Sequence, residues 1–302
     1  MVAGAAPRRR KVKTLEDMVF DFVVYFGVLF AAIVTLYPFV YVLSMSISDP
    51  GAVLRKEVFL WPKGFSLQAY ETVFKDETIW RSYYNTVWYT VVGTFLNLVF
   101  TIMAAYPLSK RNFSARGFFT FLFVFTMFFT GGLIPQFVLV VKLGLYNSRW
   151  AMVIPPLIAT YNLIICRTFF QTLPDELFDC ARIEGAGEWR IIWKIVLPLS
   201  TPIVAVLALF YGIFHWNSFF SALLYLPKQR LQPIQLYLRR VLIQASPEAV
   251  QQFETGEAGR GIMAMLQIKY AVMIVAIFPI TVLYPFLQKY FVKGVMIGAL
   301  KG

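Results

Sequence analysis

The feature that most limits what this chain can fold into is a series of apolar runs, each long enough to cross a bilayer. The first extends from about Val19 to Met45. Others cover about Tyr83–Tyr106, Phe118–Val141, Trp150–Leu173, about Leu199–Leu226 and about Tyr270–Phe291. A membrane-crossing helix needs roughly 20 mainly apolar residues. Lipid supplies no hydrogen-bond partners, so such runs must satisfy their backbone internally, as helices do. Barrel strands would instead alternate in short segments. The expected fold is therefore an all-α integral membrane protein with six transmembrane helices. Composition agrees: 59% of the 302 residues are hydrophobic and 15% charged, against roughly 45–50% and about 25% in soluble domains. An aromatic content of 18% excludes a disordered chain.

Charge sets the expected orientation. The formal net charge is +12, but the basic residues lie between apolar runs instead of on one face, which argues against nucleic acid. The one tight cluster, Arg8, Arg9, Arg10, Lys11 and Lys13, precedes the first run. Short basic segments beside a span stay cytoplasmic. Both termini are then expected inside, with cytoplasmic segments 1–18, 107–117, 174–198 and 292–302. The outer loops become about 46–82, 142–149 and 227–269. The chain divides into a basic N-terminus (1–18), a first span with its external loop (19–82), a core (83–291) holding the 174–198 loop, and a tail (292–302). Trp61, Trp80, Tyr83, Tyr84 and Trp88 read as an interfacial aromatic belt. The first run is too long for a signal-peptide core and should persist as a span.

Ionisable groups are scarce inside the runs. Asp21 sits at the inner end of the first, Arg167 near the inner end of the fourth, where it can snorkel, and His215 within the fifth. A carrier driven by protons or sodium usually carries a carboxylate at membrane depth, and none is centred here. There is no GxxxxGK[ST] phosphate loop, no nucleophile elbow and no HExxH. Two cysteines, Cys166 and Cys180, and one histidine offer no metal-ligand spacing. Both cysteines are expected near the cytoplasm and unpaired. No catalytic site, metal or resident cofactor is expected, and any nucleotide chemistry belongs to another polypeptide.

The stretch 174–198 carries the strongest signal. Pro174 suits a helix start, and Asp175 and Glu176 complement its positive end. Leu177, Phe178, Ala181 and Ile183 supply an apolar surface. Gly185-Ala186-Gly187 permits a tight turn, and Trp189 to Val196 forms a second segment ending at Pro198. By chemistry alone this is a helix–turn–helix that an interfacial helix lying on lipid headgroups would also explain.

Its spacing resembles the EAA loop of the permease subunits of binding-protein-dependent ABC importers. That family pattern is Glu-Ala-Ala, a three-residue gap, Gly, a nine-residue gap, then Ile-x-Leu-Pro. Here Asp179, Cys180 and Ala181 stand for Glu-Ala-Ala, with Glu184, Gly185 and Ala186 following, and Ile195, Leu197 and Pro198 completing the pattern. The departures are Asp for Glu and Cys for Ala. Ile134-Pro135 through Ser148, Trp216-Asn217-Ser218-Phe219, and Leu287 through Gly302 are similar to segments of carbohydrate permeases of the maltose-type branch, nearest those for oligosaccharides and uronides.

The resemblance implies the type I importer permease core and a bacterial-type cytoplasmic membrane location. It implies one half of a pore, working with a second, non-identical homologous permease, two ATP-binding cassette subunits and an extracytoplasmic sugar-binding protein. In relatives the EAA helix docks on the ATPase, and the tail touches it as well. For a sugar passing through, Asn85, Asn97, Gln136, Tyr161, Asn162, Trp216 and Asn217 offer neutral hydrogen bonds and stacking faces, although each also suits interhelical bonding. The competing expectation is an autonomous ion-coupled carrier or channel.

Overall fold

A computed structural model of the chain describes residues 14–244 and 267–282. The basic cluster before Thr14, the tail from Lys293 and the end of the sixth apolar run lie outside these residues. So does most of the second half of the 227–269 loop.

Helix α1 (Leu15–Ser46) opens with a reciprocal cap between Thr14 and Asp17. Most of its side chains are exposed until Ser44, Met45 and Ser46, which are buried. An apolar helix with a bare circumference suits lipid, not water. Its end is tied down: the Ser44 hydroxyl donates to the Leu60 carbonyl at 2.6 Å, and Gln267 donates to the Ser48 carbonyl. The short α2 (Pro50–Leu54), capped by Asp49, and α3 (Gln68–Lys75) follow.

Helix α4 (Glu77–Ser109) is the pillar of the fold. Its buried stripe reads Ser82, Asn85, Thr86, Tyr89, Gly93, Asn97, Thr101, Ala105 and Leu108, most of them three or four residues from the next. Its exposed side carries Tyr84, Val87, Val91 and Phe95. The amphipathic pattern is thus inverted relative to a soluble helix: small and polar residues face protein, and large apolar ones face outward.

α1 and α4 are each long and apolar enough to cross a membrane, and two bent helix pairs bring the possible total to four among the described residues. The expectation of unbroken helices in the third, fourth and fifth runs is corrected here. The third divides at Gly131-Gly132 into α5 (Arg116–Phe128) and α6 (Leu133–Lys142), bent by 119°. The fourth begins as a 3-10 turn (Arg149–Met152), becomes irregular, and regains helix only in α7 (Thr160–Phe170). Pro155 and Pro156 explain this, since neither can donate a backbone bond and each disfavours helix in the residue before it. The fifth stops at Trp216.

In the 174–198 loop, α8 (Asp175–Ile183) and α9 (Glu188–Ile191) flank the turn. Beyond α9, a π turn over Ile192–Val196 runs into α10 (Leu197–Leu199), so Pro198 does not itself end the helix. Pro198 has no N–H for the Lys194 carbonyl, and the turn before it widens to an i→i+5 bond from the Leu197 N–H to Ile192. An 85° bend at Ser200 then leads into α11 (Thr201–Trp216). α12 (Phe219–Tyr225), α13 (Ile234–Gln244) and α14 (Gln267–Val282) complete the order.

Irregular backbone at membrane depth must find partners in protein, and α4 and α11 supply them. Asn97 Nδ2 donates to the carbonyls of Pro156 at 2.6 Å and Leu157 at 2.8 Å, inside the broken fourth run. The Tyr211 hydroxyl accepts from the Ala159 N–H at 3.2 Å and bonds Thr101 at 2.7 Å. His215 Nε2 meets Asn97 Oδ1 at 2.6 Å. His215 also lies directly over Gly93, where an added Cβ would stand 2.4 Å from its Nε2. Glycine is needed there for the two helices to approach.

Gly93→Ala should therefore lower the stability of the purified protein by about 1–3 kcal/mol. Adding His215→Ala should leave the double variant no less stable than His215→Ala alone, because the clash goes with the ring. Thermal unfolding in mild detergent checks this. Additive losses would show that Gly93 and His215 do not share the site.

Candidate functional site

The loop between α7 and α11 is assembled from local rules. Asp175 and Glu176 occupy the first turn of α8. The other end closes with the Ala186 N–H donating to the Ala181 carbonyl at 2.9 Å and the Gly185 N–H to Arg182 at 3.0 Å. Gly185 has φ +78°. This is a Schellman motif, in which the residue after the cap is left-handed and glycine is strongly favoured. The chain turns within a few residues, and α9 begins at Glu188.

The inner face of the loop belongs to the protein core. Phe178, Ala181, Ile191, Ile192 and Val196 are buried in one cluster with residues of three helices. α4 contributes Ala105 and Tyr106, α7 contributes Cys166 and Phe170, and α11 contributes Ile203 and Leu207. The loop and all three helices therefore share one packed interior.

A polar clasp fixes the same junction. The Tyr106 hydroxyl donates to Glu188 Oε2 at 2.5 Å. Arg182 donates to Glu188 Oε1 from Nε at 3.3 Å and Nη2 at 3.2 Å, and reaches Asp179 Oδ1 at 3.5 Å. Lys110 lies over the rings of Phe178 and Tyr106. The Tyr106 hydrogen bond, aided by Arg182 and Lys110, holds the Glu188 carboxyl below its ordinary 4.5 against the opposing effect of burial.

The residues named for the EAA pattern separate into two faces. Ala181 is buried, while Ala186, Ile195 and Leu197 are half-buried against the cluster. Asp179, Cys180, Glu184, Gly185 and Pro198 are exposed. Four apolar side chains that the pattern does not single out are exposed alongside them: Leu177 at 41%, Ile183 at 87%, Trp189 at 61% and Trp193 at 58%. Tyr106, Arg182 and Glu188 carried no sequence signal as a group, since Tyr106 and Glu188 are 82 residues apart. Both cysteines are free, Cys166 buried and Cys180 exposed.

The polar residues considered for a sugar path do not form one group. Asn97 holds the broken fourth run, as described. Asn85 is buried and donates to the carbonyls of Arg230 at 2.8 Å and Gln232 at 3.2 Å. Trp216 is buried, with Nε1 donating to the Ala276 carbonyl at 3.2 Å and its ring edge-on to Tyr83. Tyr161 and Asn162 line a groove of about 570 Å³ beside the broken run, together with Pro156, Tyr211 and Phe214. Gln136 and Asn217 are exposed on α6 and at the end of α11.

A group whose folded pKa is depressed gives stability that is complete above its unfolded value and lost as pH falls through the folded one. The Glu188 clasp should thus hold above pH 4.5 and release below it. Hydrogen-exchange protection factors over 186–192 should drop in that range, and Tyr106→Phe should move the drop to higher pH. Protection that ignores both pH and Tyr106→Phe would remove the clasp.

Comparison with known proteins gives one answer. Residues 97–297 match the family described as "Binding-protein-dependent transport system inner membrane component". The chain is 39% identical to the polygalacturonan/rhamnogalacturonan transport system permease protein YtcP of Bacillus subtilis, over 95% of this chain and 100% of that one. It is 42% identical to Protein LplC of the same organism, over 89% of this chain and 90% of that one. Among solved structures it resembles a chain from a bacterial ABC transporter that imports the acidic polysaccharide alginate. The TM-score is 0.85 and the identity 33%, covering 93% of this chain and 99% of the other. Matching so much of the chain in sequence and in fold, these likenesses make it a member of the binding-protein-dependent transport system inner membrane component family, the permease subunits of ABC importers.

Proposed function

We propose that the chain is a pore-forming subunit of an ATP-driven importer that moves an oligosaccharide across a bacterial cytoplasmic membrane by alternating access. The carrying observation is the 174–198 loop: its rim exposes Leu177, Ile183, Trp189 and Trp193, and its other face is continuous with the core of α4, α7 and α11. A protein that takes its energy from an ATPase it does not contain needs such an element. In this reading Asp179 to Ala186 is the coupling segment. Leu177, Ile183, Trp189 and Trp193 seat on the ATPase, and six spans place both termini and the loop in the cytoplasm. ATP-driven closure of two ATPase subunits pulls the loop, and the core passes that movement to the spans. A second permease completes the pore, and an extracytoplasmic binding protein delivers the sugar.

The two ends of α4 fit this orientation. Tyr106 is at the loop end and Asn85 at the other, a separation of about 31 Å at the helical rise, the thickness of a hydrocarbon core. Beside Asn85, the Arg149 guanidinium lies 5.3 Å over the Tyr84 ring and 5.2 Å over that of Trp88. Its Nη2 donates to Asn85 Oδ1 at 3.1 Å, and Trp150 stands edge-on to Trp88. Among the described residues no carboxylate pairs with Arg149. Exposed aromatic faces beside a cation suit a sugar ring that bears an acid group. Galacturonan is a uronic acid polymer, and relatives named for it and for alginate support an acidic oligosaccharide as the cargo.

Gly185→Pro removes both the left-handed conformation and the N–H bonded to Arg182. In proteoliposomes with the complete transporter it should bring substrate-stimulated ATP hydrolysis down to the unstimulated rate, with the protein still inserted. Normal stimulation would reject the coupling role. Arg149→Gln should slow uptake of trigalacturonate about tenfold, the size of one charge-assisted bond, and leave its methyl ester unaffected. Equal slowing of both would assign Arg149 a structural role only.

A further inference from the structure

A second basic site lies at the loop end of the molecule, between the first turns of α5 and the last turn of α7. Arg116, Gly117, Thr120, Phe121, Val124 and Arg167 line a groove of about 470 Å³. Arg116 is close enough to Arg167 for the two positive charges to repel one another. Both side chains are half-buried. Among the described residues no carboxylate lies within ion-pair distance of either.

The hydrogen-bonding inventory is incomplete in the same place. Arg167 Nη1 donates to Thr120 Oγ1 at 3.3 Å. Arg167 Nε is buried without a partner. Thr120 has accepted one bond, and among the described residues its own hydroxyl proton has no acceptor. A buried guanidinium N–H without an acceptor is destabilising, and two adjacent cations at the edge of hydrocarbon add to the penalty. One anion bearing several oxygens would answer all of these.

Position identifies its source. Three residues beyond Arg167, Phe170 joins the core cluster that also holds Phe178 of α8, so the groove is about one turn from the loop. α5 buries none of its side chains, and Phe118, Phe121, Leu122 and Phe125 are exposed. A cationic mouth at the headgroup level with apolar residues below it matches a phospholipid, headgroup first and acyl chain along Phe121 and Val124. Guanidinium groups favour phosphate because their forked N–H groups fit its oxygens.

We propose that this groove binds the phosphate of an anionic phospholipid, held by Arg116 and Arg167 with the Thr120 hydroxyl as a third donor. The site depends on the membrane location and not on which cargo the transporter carries.

The test is native mass spectrometry of the full chain, purified in neutral detergent and offered equal amounts of phosphatidylglycerol and phosphatidylcholine. The wild type should retain phosphatidylglycerol about tenfold better. Arg116→Gln should weaken that preference, and Arg116→Gln with Arg167→Gln should abolish it, while Arg167→Lys retains part. Thermal unfolding checks that the variants are folded. Should the double variant fail to fold, Arg116→Gln alone decides. Equal retention of both lipids by the wild type, or a preference unchanged by Arg116→Gln, would overturn the proposal. Protection by inorganic phosphate equal to that by phosphatidylglycerol, and lost in the same variants, would make the ligand a soluble anion and reject the lipid.

Discussion

The fold depends on the buried polar stripe of α4. Three of the apolar runs are broken, and broken backbone in lipid is tolerable only when protein supplies the missing bonds. Asn97 closes two carbonyls of the Pro155-Pro156 break and also engages His215 on α11. Thr101 positions the Tyr211 hydroxyl that receives the Ala159 N–H. At the other end, Tyr89 donates to the Leu231 carbonyl at 2.7 Å and Thr86 accepts from the Ile234 N–H at 2.8 Å. One helix thus fixes a broken span, a neighbouring helix and the Leu231–Ile234 segment through groups spaced along a single face.

That arrangement gives the loop its mechanical meaning. A helix floating on headgroups would move without consequence for the spans. Here Phe178 and Ile191 are almost fully buried against α4, α7 and α11, and Tyr106 of α4 bonds Glu188 directly. The exposed rim, with Ile183 and two tryptophans, is costly for a surface that stays in water, and large exposed apolar patches commonly mark partner sites. The helix–turn–helix thus packs one face into the core and leaves an apolar rim exposed on the other, joined through a glycine turn that leaves little slack.

How much of this was legible depends on the range of the interaction. α1 and α4 follow from apolar length alone, and their observed spans include the expected ones. The turn at Gly185 follows from local chemistry, because a Schellman motif is encoded within six residues. The breaks at Gly131-Gly132 and Pro155-Pro156 were written in the sequence but outweighed by continuous hydrophobicity, which reports burial in lipid and says little of helix continuity. The Tyr106–Glu188–Arg182 clasp and the Asn97–His215 pair were not legible. Their members are far apart in the chain, and nothing in local composition marks a partner. For the same reason Asn85, Asn97 and Trp216 stood in one list with Tyr161 and Gln136, though the first three are engaged with backbone or side chains and the last two are exposed.

The proposed coupling role requires the rim of the 174–198 loop to touch an ATP-hydrolysing subunit. Cys180 lies on that rim, exposed, while Cys166 is buried, so the native chain offers a selective attachment point. A short thiol-directed photo-crosslinker on Cys180 in native membranes, followed by mass spectrometry of the adducts, measures the contact without altering a residue. One dominant adduct with an ATP-binding cassette subunit is expected, its yield changing when ATP is added. Adducts with lipid alone, or none to any ATPase in membranes that support uptake, would contradict it.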